Sequence, residues 1–203
     1  LSIKAIMDAI QTLPDENMRT EILINVLMQS DEYGVNTLMI AMVHKEPETL
    51  KAIIDGIIQV IPNEETRTKL LRDILMQTNY EARNALMIAT HYKYPDALKT
   101  IIDGIRQAIP NEDIQAEILS SIILMQFDEH NRNALMIAMV HQEPETLKVI
   151  IDGLIQAVPN EEARTKVLKD ILIQLDQNDR NPLMVAAHKG PASIKAIINT
   201  IQA

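Results

Sequence analysis

Apolar residues recur along the chain at helical spacing, and polar breaks separate them at regular intervals. The stretch that begins at Pro47 has apolar residues three and four positions apart, at Leu50, Ile53, Ile54, Ile57, Ile58 and Ile61. This spacing is typical of a helix that buries one face. A second apolar set, at Leu70, Leu71, Ile74 and Leu75, follows the segment "PNEE". In that segment Asn63 is a helix cap, and the two glutamates suit the positive end of a helix dipole.

The pattern repeats with a fixed period. The motif Asn-x-Leu-Met occurs at Asn36, Asn84, Asn133 and Asn181, with spacings of 48, 49 and 48 residues. Two series of prolines keep the same period, at Pro47, Pro95, Pro144 and Pro191 and at Pro14, Pro62, Pro110 and Pro159. Each period is therefore predicted to contain three helices. Helix A is short and follows the asparagine, helix B starts at the first proline, and helix C follows the second.

The predicted fold class is an all-α tandem-repeat solenoid of about four three-helix repeats, each 48 residues long. We expect a single array over 1–203, with core positions at Leu38, Ile54, Leu71 and Ile74 and their equivalents. The array divides into a partial repeat, three complete repeats and a second partial repeat, over 1–35, 36–83, 84–132, 133–180 and 181–203. The segment "SIKAI" occurs near both ends. The chain thus starts and stops inside helix B, which indicates a fragment of a longer array.

Three glycines fall within the predicted helix B, at Gly56, Gly104 and Gly153. A glycine in a helix interior costs about 1 kcal/mol relative to alanine. Two interpretations account for it. Either the missing side chain lets a neighbouring helix approach, or the glycine ends the helix and the residues up to the next proline form a separate turn.

Composition narrows the class of protein. With 47% apolar residues but one Phe, four Tyr and no Trp, the core must be aliphatic, which favours helices over strands. No apolar run is long enough to cross a membrane, and the opening "LSIKAIMDAI" is not a secretion signal, so we expect a cytoplasmic protein. The absence of Cys excludes disulfides, Cys-ligated zinc and thiol nucleophiles. A net charge of −9 argues against nucleic acid and membrane partners.

Helices A and B together resemble the ankyrin repeat. The segment "NPLMVAAHKG", from Asn181 to Gly190, follows the family pattern T-P-L-H-x-A, with Asn181 in place of Thr and Met184 in place of His. Gly190 stands where the family has the glycine between its two helices. The resemblance covers about half of each period. It implies a non-catalytic scaffold that binds proteins through its inner helices and the loops beside them.

The period departs from that family, whose repeat has about 33 residues. The extra ~15 residues correspond to the four turns of helix C and leave little room for the family's hairpin loops. Three helices per repeat are also typical of armadillo repeats, so an armadillo/HEAT-like array remains an alternative. An odd number of antiparallel helices leaves the chain at the wrong end of the repeat. Either helix A lies crosswise or the loop after helix C runs back along the repeat, and the sequence does not distinguish the two.

No set of residues indicates catalysis, a cofactor or a metal. One histidine per repeat, as at His91 and His141, suggests metal binding, but successive repeats lie ~10 Å apart and the one-residue offset should aim the rings differently. These histidines are better explained as helix ends, where a partly cationic ring suits the dipole. The segments "DEHNRN" and "DQNDRN" lack the glycine and glutamate of a calcium loop and are predicted to be Asx turns. There is no Gly-rich phosphate loop.

The predicted function is a protein-binding module that is not an enzyme and has no cofactor and no small-molecule substrate. Its Ile-, Asn- and Met-rich composition suggests a bacterial effector that acts on host proteins. The alternative is a non-catalytic scaffold or regulatory region of a larger enzyme. Binding is expected where the repeats differ and carry exposed aromatic or cationic side chains. The candidate residues are Tyr92, Lys93 and Tyr94, together with Tyr33, Tyr80, Phe127 and His130 in the loops.

Overall fold

The computed structural model describes residues 3–124, 127–141, 143–158, 160–191, 194–195 and 198. Pro159 and part of the last predicted partial repeat, 181–203, lie outside them. Within this part of the chain the structure has twelve named helices and no strand. The helices are α1 (Ile3–Gln11), α2 (Glu16–Met28), α3 (Thr37–His44), α4 (Pro47–Val60), α5 (Glu64–Met76), α6 (Ala85–His91), α7 (Pro95–Ala108), α8 (Glu112–Leu124), α9 (Ala134–Val140), α10 (Pro144–Ala157), α11 (Glu161–Ile173) and α12 (Pro182–Lys189).

The helices form three stacked rows, which confirms the predicted helical-repeat solenoid. The A row consists of α3, α6, α9 and α12, the B row of α1, α4, α7 and α10, and the C row of α2, α5, α8 and α11. Helices of the A and B rows pack mainly on the equivalent helix of the next repeat, whereas each of α2, α5 and α8 packs at least as extensively on the following B helix as on the next C helix. The core lies between the rows. The core positions predicted at Leu38, Ile54, Leu71 and Ile74 are all buried.

Glycines in the B row allow the closest approach between repeats. Gly56, Gly104 and Gly153 lie inside α4, α7 and α10 rather than at their ends. A Cβ atom at Gly104 would lie 2.9 Å from Cγ2 of Ile54, and one at Gly56 would lie 2.7 Å from Sδ of Met7. The structure therefore supports the first interpretation, in which the missing side chain admits the preceding helix B.

Buried asparagines connect the start of helix A to the end of helix C. The side-chain oxygen of Asn84 accepts from the backbone N–H of Met87 at 2.9 Å, which caps α6. Its Nδ2 donates to the carbonyl oxygen of Ile122 in α8, also at 2.9 Å. Asn36 makes the same pair of contacts, with Met39 and Ile74. Because the amide both donates and accepts, asparagine satisfies both helix ends with one side chain.

A second set of side chains on helix C caps the end of helix B. Arg67 in α5 donates from Nη1 to the carbonyl oxygen of Ile61 at 3.0 Å and from Nε to that of Ala108 in the next repeat at 2.7 Å. Arg19, Gln115 and Arg164 occupy the equivalent position and donate to the equivalent carbonyl groups. These contacts fix the B and C rows relative to each other, since each carbonyl at a helix end would otherwise lack a partner.

Candidate functional site

Four loops join the C row to the A row, and they lie side by side along the array. They are loop 1 (30–35), loop 2 (78–83), loop 3 (127–132) and loop 4 (175–180). Each loop is an Asx turn. In loop 3, Oδ1 of Asp128 accepts from the backbone N–H groups of His130 and Arg132 at 3.0 and 2.9 Å. Asp31, Asn79 and Asp176 do the same in their loops. The Asx turns predicted in loops 3 and 4 are confirmed.

Backbone hydrogen bonds tie each loop to the one before it, so the tips form a continuous row, which we call the loop row. The N–H of Tyr80 donates to the carbonyl oxygen of Tyr33 at 3.0 Å, and that of Glu129 donates to Glu81 at 3.2 Å. The N–H of Gln177 completes the series by donating to His130 at 3.0 Å. One isolated antiparallel bridge, between Ser30 and Asn36, closes loop 1. The loops are therefore fixed to one another as well as to the helices beneath them.

Arginines pair with the turn aspartates in the last two loops. Arg132 donates to Oδ2 of Asp128 from Nη2 at 2.6 Å and from Nε at 3.0 Å. Arg180 holds Asp176 in the same way, at 2.7 and 2.9 Å. Burial alone would raise the pKa of Asp128, but the hydrogen bonds from the side chain and backbone of Arg132 outweigh it, so this pKa lies below its usual value. Each turn thus contains an ionised carboxylate that is held by its own guanidinium group.

The loop row brings together four of the seven predicted site residues. Tyr33 and Tyr80 are in adjacent loops, with ring centroids 6.4 Å apart and planes at 67°, an edge-to-face contact. Both rings project into solvent, since Tyr33 is 61% exposed and Tyr80 is 78% exposed. Phe127 and His130 lie in loop 3, where both are partly buried. An exposed aromatic pair on a hydrogen-bonded backbone is a feature of binding surfaces rather than of a core.

The other three predicted residues lie at the opposite end of helix A, where it turns into helix B. Tyr92 is 43% exposed. Lys93 has a left-handed backbone, with φ of 57°, and its ammonium group lies 2.8 Å from the carboxylate of Glu143 in the next repeat. Tyr94 is only 8% exposed, and burial followed by nearby carboxylates raises its pKa. Tyr94 therefore packs in the joint between α6 and α7, and of the two tyrosines only Tyr92 presents its ring to solvent.

Solved structures similar to this chain include ankyrin-repeat proteins. "EF0377 an Ankyrin Repeat Protein" is 17% identical, with 98% of each chain covered and a TM-score of 0.46. The ankyrin repeat domain of Bcl-3 is 12% identical, with a TM-score of 0.20, and the match covers 85% of this chain and 100% of that one. Both are ankyrin-repeat structures. No family model matches the sequence, and no curated protein matches it.

Two histidines of the array meet across a repeat joint, contrary to the expectation that their one-residue offset would aim them apart. Nε2 of His141 lies 3.2 Å from Nδ1 of His91, and the rings are edge to face. His91 is the last residue of α6, whereas His141 is the residue just after α9, so the two rings meet from neighbouring rather than equivalent positions of their repeats. Burial lowers the pKa of both rings, and Arg83 acts in the same direction on His91. The expectation of partly cationic rings is therefore wrong for this pair.

Acidification is expected to destabilise this joint. Because the two pKa values lie below the ordinary value of about 6.5, the unfolded chain binds more protons than the folded chain once the pH falls past that value. Stability from the pair is fully present above about pH 6.5 and declines below it. The charged groups around the pair are Glu81, Arg83, Lys93, Asp128, Arg132 and Glu143. Thermal unfolding should depend on pH less steeply in a His91→Gln, His141→Gln variant, and an unchanged slope would contradict this account.

The described part of the chain contains neither a candidate membrane-spanning helix nor a candidate metal-binding cluster. None of the described helices is long and apolar enough to cross a membrane. Among the same residues, no group of three or more His, Asp or Glu side chains is arranged to hold a metal ion. The predicted absence of a resident metal remains a prediction.

Sequence reasoning identified the exposed tyrosines but not what holds them in place. The contact between Tyr33 and Tyr80 depends on stacking of loops that are 47 residues apart in the chain. The pairing of Arg132 with Asp128 had a detectable signal, since aspartate and arginine recur four positions apart in loops 3 and 4. Loop 1 breaks this pattern, with Val35 in place of the arginine.

Proposed function

We propose that this chain is a protein-binding module and that its partner docks on the loop row, with Tyr33 and Tyr80 at the centre of the contact. The observation that supports this most directly is the exposed edge-to-face pair on adjacent, hydrogen-bonded loops. Tyrosine is enriched at binding hot spots because its large ring carries few rotatable bonds and ends in a hydroxyl group. Burying the two rings against a partner would remove apolar surface from water with little loss of side-chain freedom.

The rigidity of the loop row also supports binding. The donor and acceptor bonds between successive loops, together with the Asx turns, hold the tips in one arrangement before a partner arrives. Less conformational entropy is then lost on association. Phe127 and His130 lie farther along the row and extend the surface beyond the tyrosine pair. Tyr92 and Lys93 lie at the far end of α6, which spans about 10 Å, so a partner of ordinary size reaches both regions.

In this proposal the chain has no catalytic role of its own, and it acts by holding a protein partner, as an effector of bacterial origin would hold a host protein. The acidic balance of the chain, with a net charge of −9, favours a protein with a basic surface over nucleic acid.

The proposal is tested with alanine variants. Replacing both Tyr33 and Tyr80 with alanine should weaken binding to a purified partner by about 2 kcal/mol or more, roughly thirtyfold, because two exposed rings leave the contact. The midpoint of thermal unfolding should change little, since both rings are exposed. Titration calorimetry measures the first quantity and circular dichroism the second.

Two further variants serve as comparisons in this experiment. Met18→Ala removes another exposed apolar side chain, 49% exposed, from helix C, away from the loop row, and should leave the affinity unchanged. Tyr92→Ala reports whether the contact extends along α6. If the double tyrosine variant binds as tightly as the unaltered chain, the loop row is not the binding surface.

A further inference from the structure

Loop 1 has the acidic half of an ion pair and lacks the basic half. In loops 3 and 4 the turn aspartate pairs with an arginine four residues later, and the side chains of Asp128 and Asp176 are almost fully covered as a result. In loop 1 the same turn is formed by Asp31, but the residue four positions later is Val35. The array therefore contains two filled copies of a guanidinium site and one copy without its cation.

The turn of loop 1 is otherwise built like the filled copies. Oδ1 of Asp31 accepts from the backbone N–H groups of Tyr33 and Val35, both at 2.9 Å, as Oδ1 of Asp128 does in loop 3. In the filled copies Oδ2 accepts from arginine. Oδ2 of Asp31 has no hydrogen-bond partner among the described residues, and the residue is exposed to solvent. The carboxylate is thus held in position by one oxygen while the other stays available.

The surroundings of Asp31 favour a cation. Tyr33 lies in loop 1 with Asp31, and its ring contacts that of Tyr80 in loop 2. A guanidinium group stacks favourably on aromatic faces. The four loops together contain seven carboxylates and three arginines. Each of those arginines is already paired, two with their turn aspartates and Arg83 with Glu81 at 2.8 Å. No arginine of the loops is therefore free to supply the missing group.

We propose that Asp31 binds the guanidinium group of an arginine on the protein partner, with the Tyr33 and Tyr80 rings beside it. This inference rests on the proposed function and names the chemistry that the loop row recognises. Arginine fits better than lysine because its planar fork reproduces the contacts that Arg132 and Arg180 make with two donor atoms each.

Two substitutions test the site, and both keep the backbone groups that form the turn. Asp31→Asn removes the charge but keeps the oxygen that accepts from the backbone, as Asn79 does in loop 2 at 3.0 and 2.9 Å. Val35→Arg supplies the missing guanidinium group from the chain itself and should occupy the site. Val35→Gln and Asp179→Asn are the matched controls, for side-chain size and for loss of a carboxylate elsewhere in the loop row.

The probe is a blocked Gly-Arg-Gly tripeptide, compared with the same peptide containing lysine or the neutral analogue citrulline. Titration followed by NMR should give saturable shifts of the Tyr33 and Val35 amide signals with the arginine peptide and weaker shifts with the lysine peptide. The citrulline peptide should give none. The apparent affinity should fall at least fivefold in Asp31→Asn and in Val35→Arg and stay the same in the two controls.

Equal affinity of the arginine peptide for the unaltered chain and for Asp31→Asn would overturn this inference. The outcome is separable from that of the proposed function. A partner whose binding depends on Tyr33 and Tyr80 but not on Asp31 leaves the loop row as the binding surface and removes the arginine from it. If the arginine peptide binds at Asp31 but the partner is insensitive to both tyrosine substitutions, the arginine site stands and the loop row is not the partner's binding surface.

Discussion

Replacing Asn84 with aspartate is expected to lower the free energy of unfolding by about 3 kcal/mol, although the new side chain still caps the helix. Asn84 is fully buried and uses both ends of its amide, one toward Met87 and the other toward Ile122. Aspartate keeps the acceptor and loses the donor. It also places a carboxylate against the Ile122 carbonyl oxygen, where neither has a hydrogen to share. Denaturant unfolding followed by circular dichroism measures the change.

Asn63 provides the matched control for this prediction. It caps α5 through the same kind of bond, to the N–H of Thr66 at 2.8 Å, but it is exposed and has no second, buried hydrogen bond to any of the described residues. Asn63→Asp should therefore change stability by no more than about 0.5 kcal/mol, since aspartate is an equally good cap at a helix N-terminus. If the two variants lose similar amounts of stability, the buried link between helix A and helix C does not contribute as the structure indicates.

Gly104→Leu is expected to destabilise the chain by about 3 kcal/mol, even though leucine is the better helix former. Ile54 of the preceding helix B lies over Gly104, and even a single added carbon would come within 2.9 Å of its Cγ2. The larger side chain must therefore push α7 away from α4 or force Ile54 from its rotamer. Equilibrium unfolding in urea measures the change in stability.

Ala9 occupies the equivalent position in α1 and tests whether the cost comes from the neighbouring helix. It is exposed, and none of the described helices stacks on it as α4 stacks on Gly104. Ala9→Leu should therefore alter stability by no more than about 0.5 kcal/mol. A large loss there, or none at Gly104, would mean that the B helices do not approach as closely as the structure shows.

Most of the fold could be predicted from the sequence because its signals are local and repeated. The caps Asn36 and Asn84 define where helix A starts, and Pro47 and Pro95 define where helix B starts. Because the pattern recurs every 48 or 49 residues, a helix predicted in one repeat can be compared with the equivalent segment of the others.

The features that could not be predicted depend on how the helices pack against one another. The second bond of Asn84, to Ile122, joins residues 38 positions apart and leaves no local pattern. The meeting of His91 with His141 depends on where each helix ends, to within one residue. Tyr92 and Tyr94 are two positions apart and have similar chemistry, yet only one is buried, because burial is decided by how α7 turns away from α6. Nothing in the sequence distinguished the two.

The most direct measurement of the central claim, that the loop row is the binding surface, is hydrogen–deuterium exchange of the chain with and without its protein partner. Binding should slow exchange in peptides that cover loops 1 and 2, residues 30–35 and 78–83, where Tyr33 and Tyr80 lie. Peptides from the B row, such as α4 and α7, should exchange at the same rate in both states. Slower exchange confined to the B row or the C row, with loops 1 and 2 unaffected, would contradict the claim.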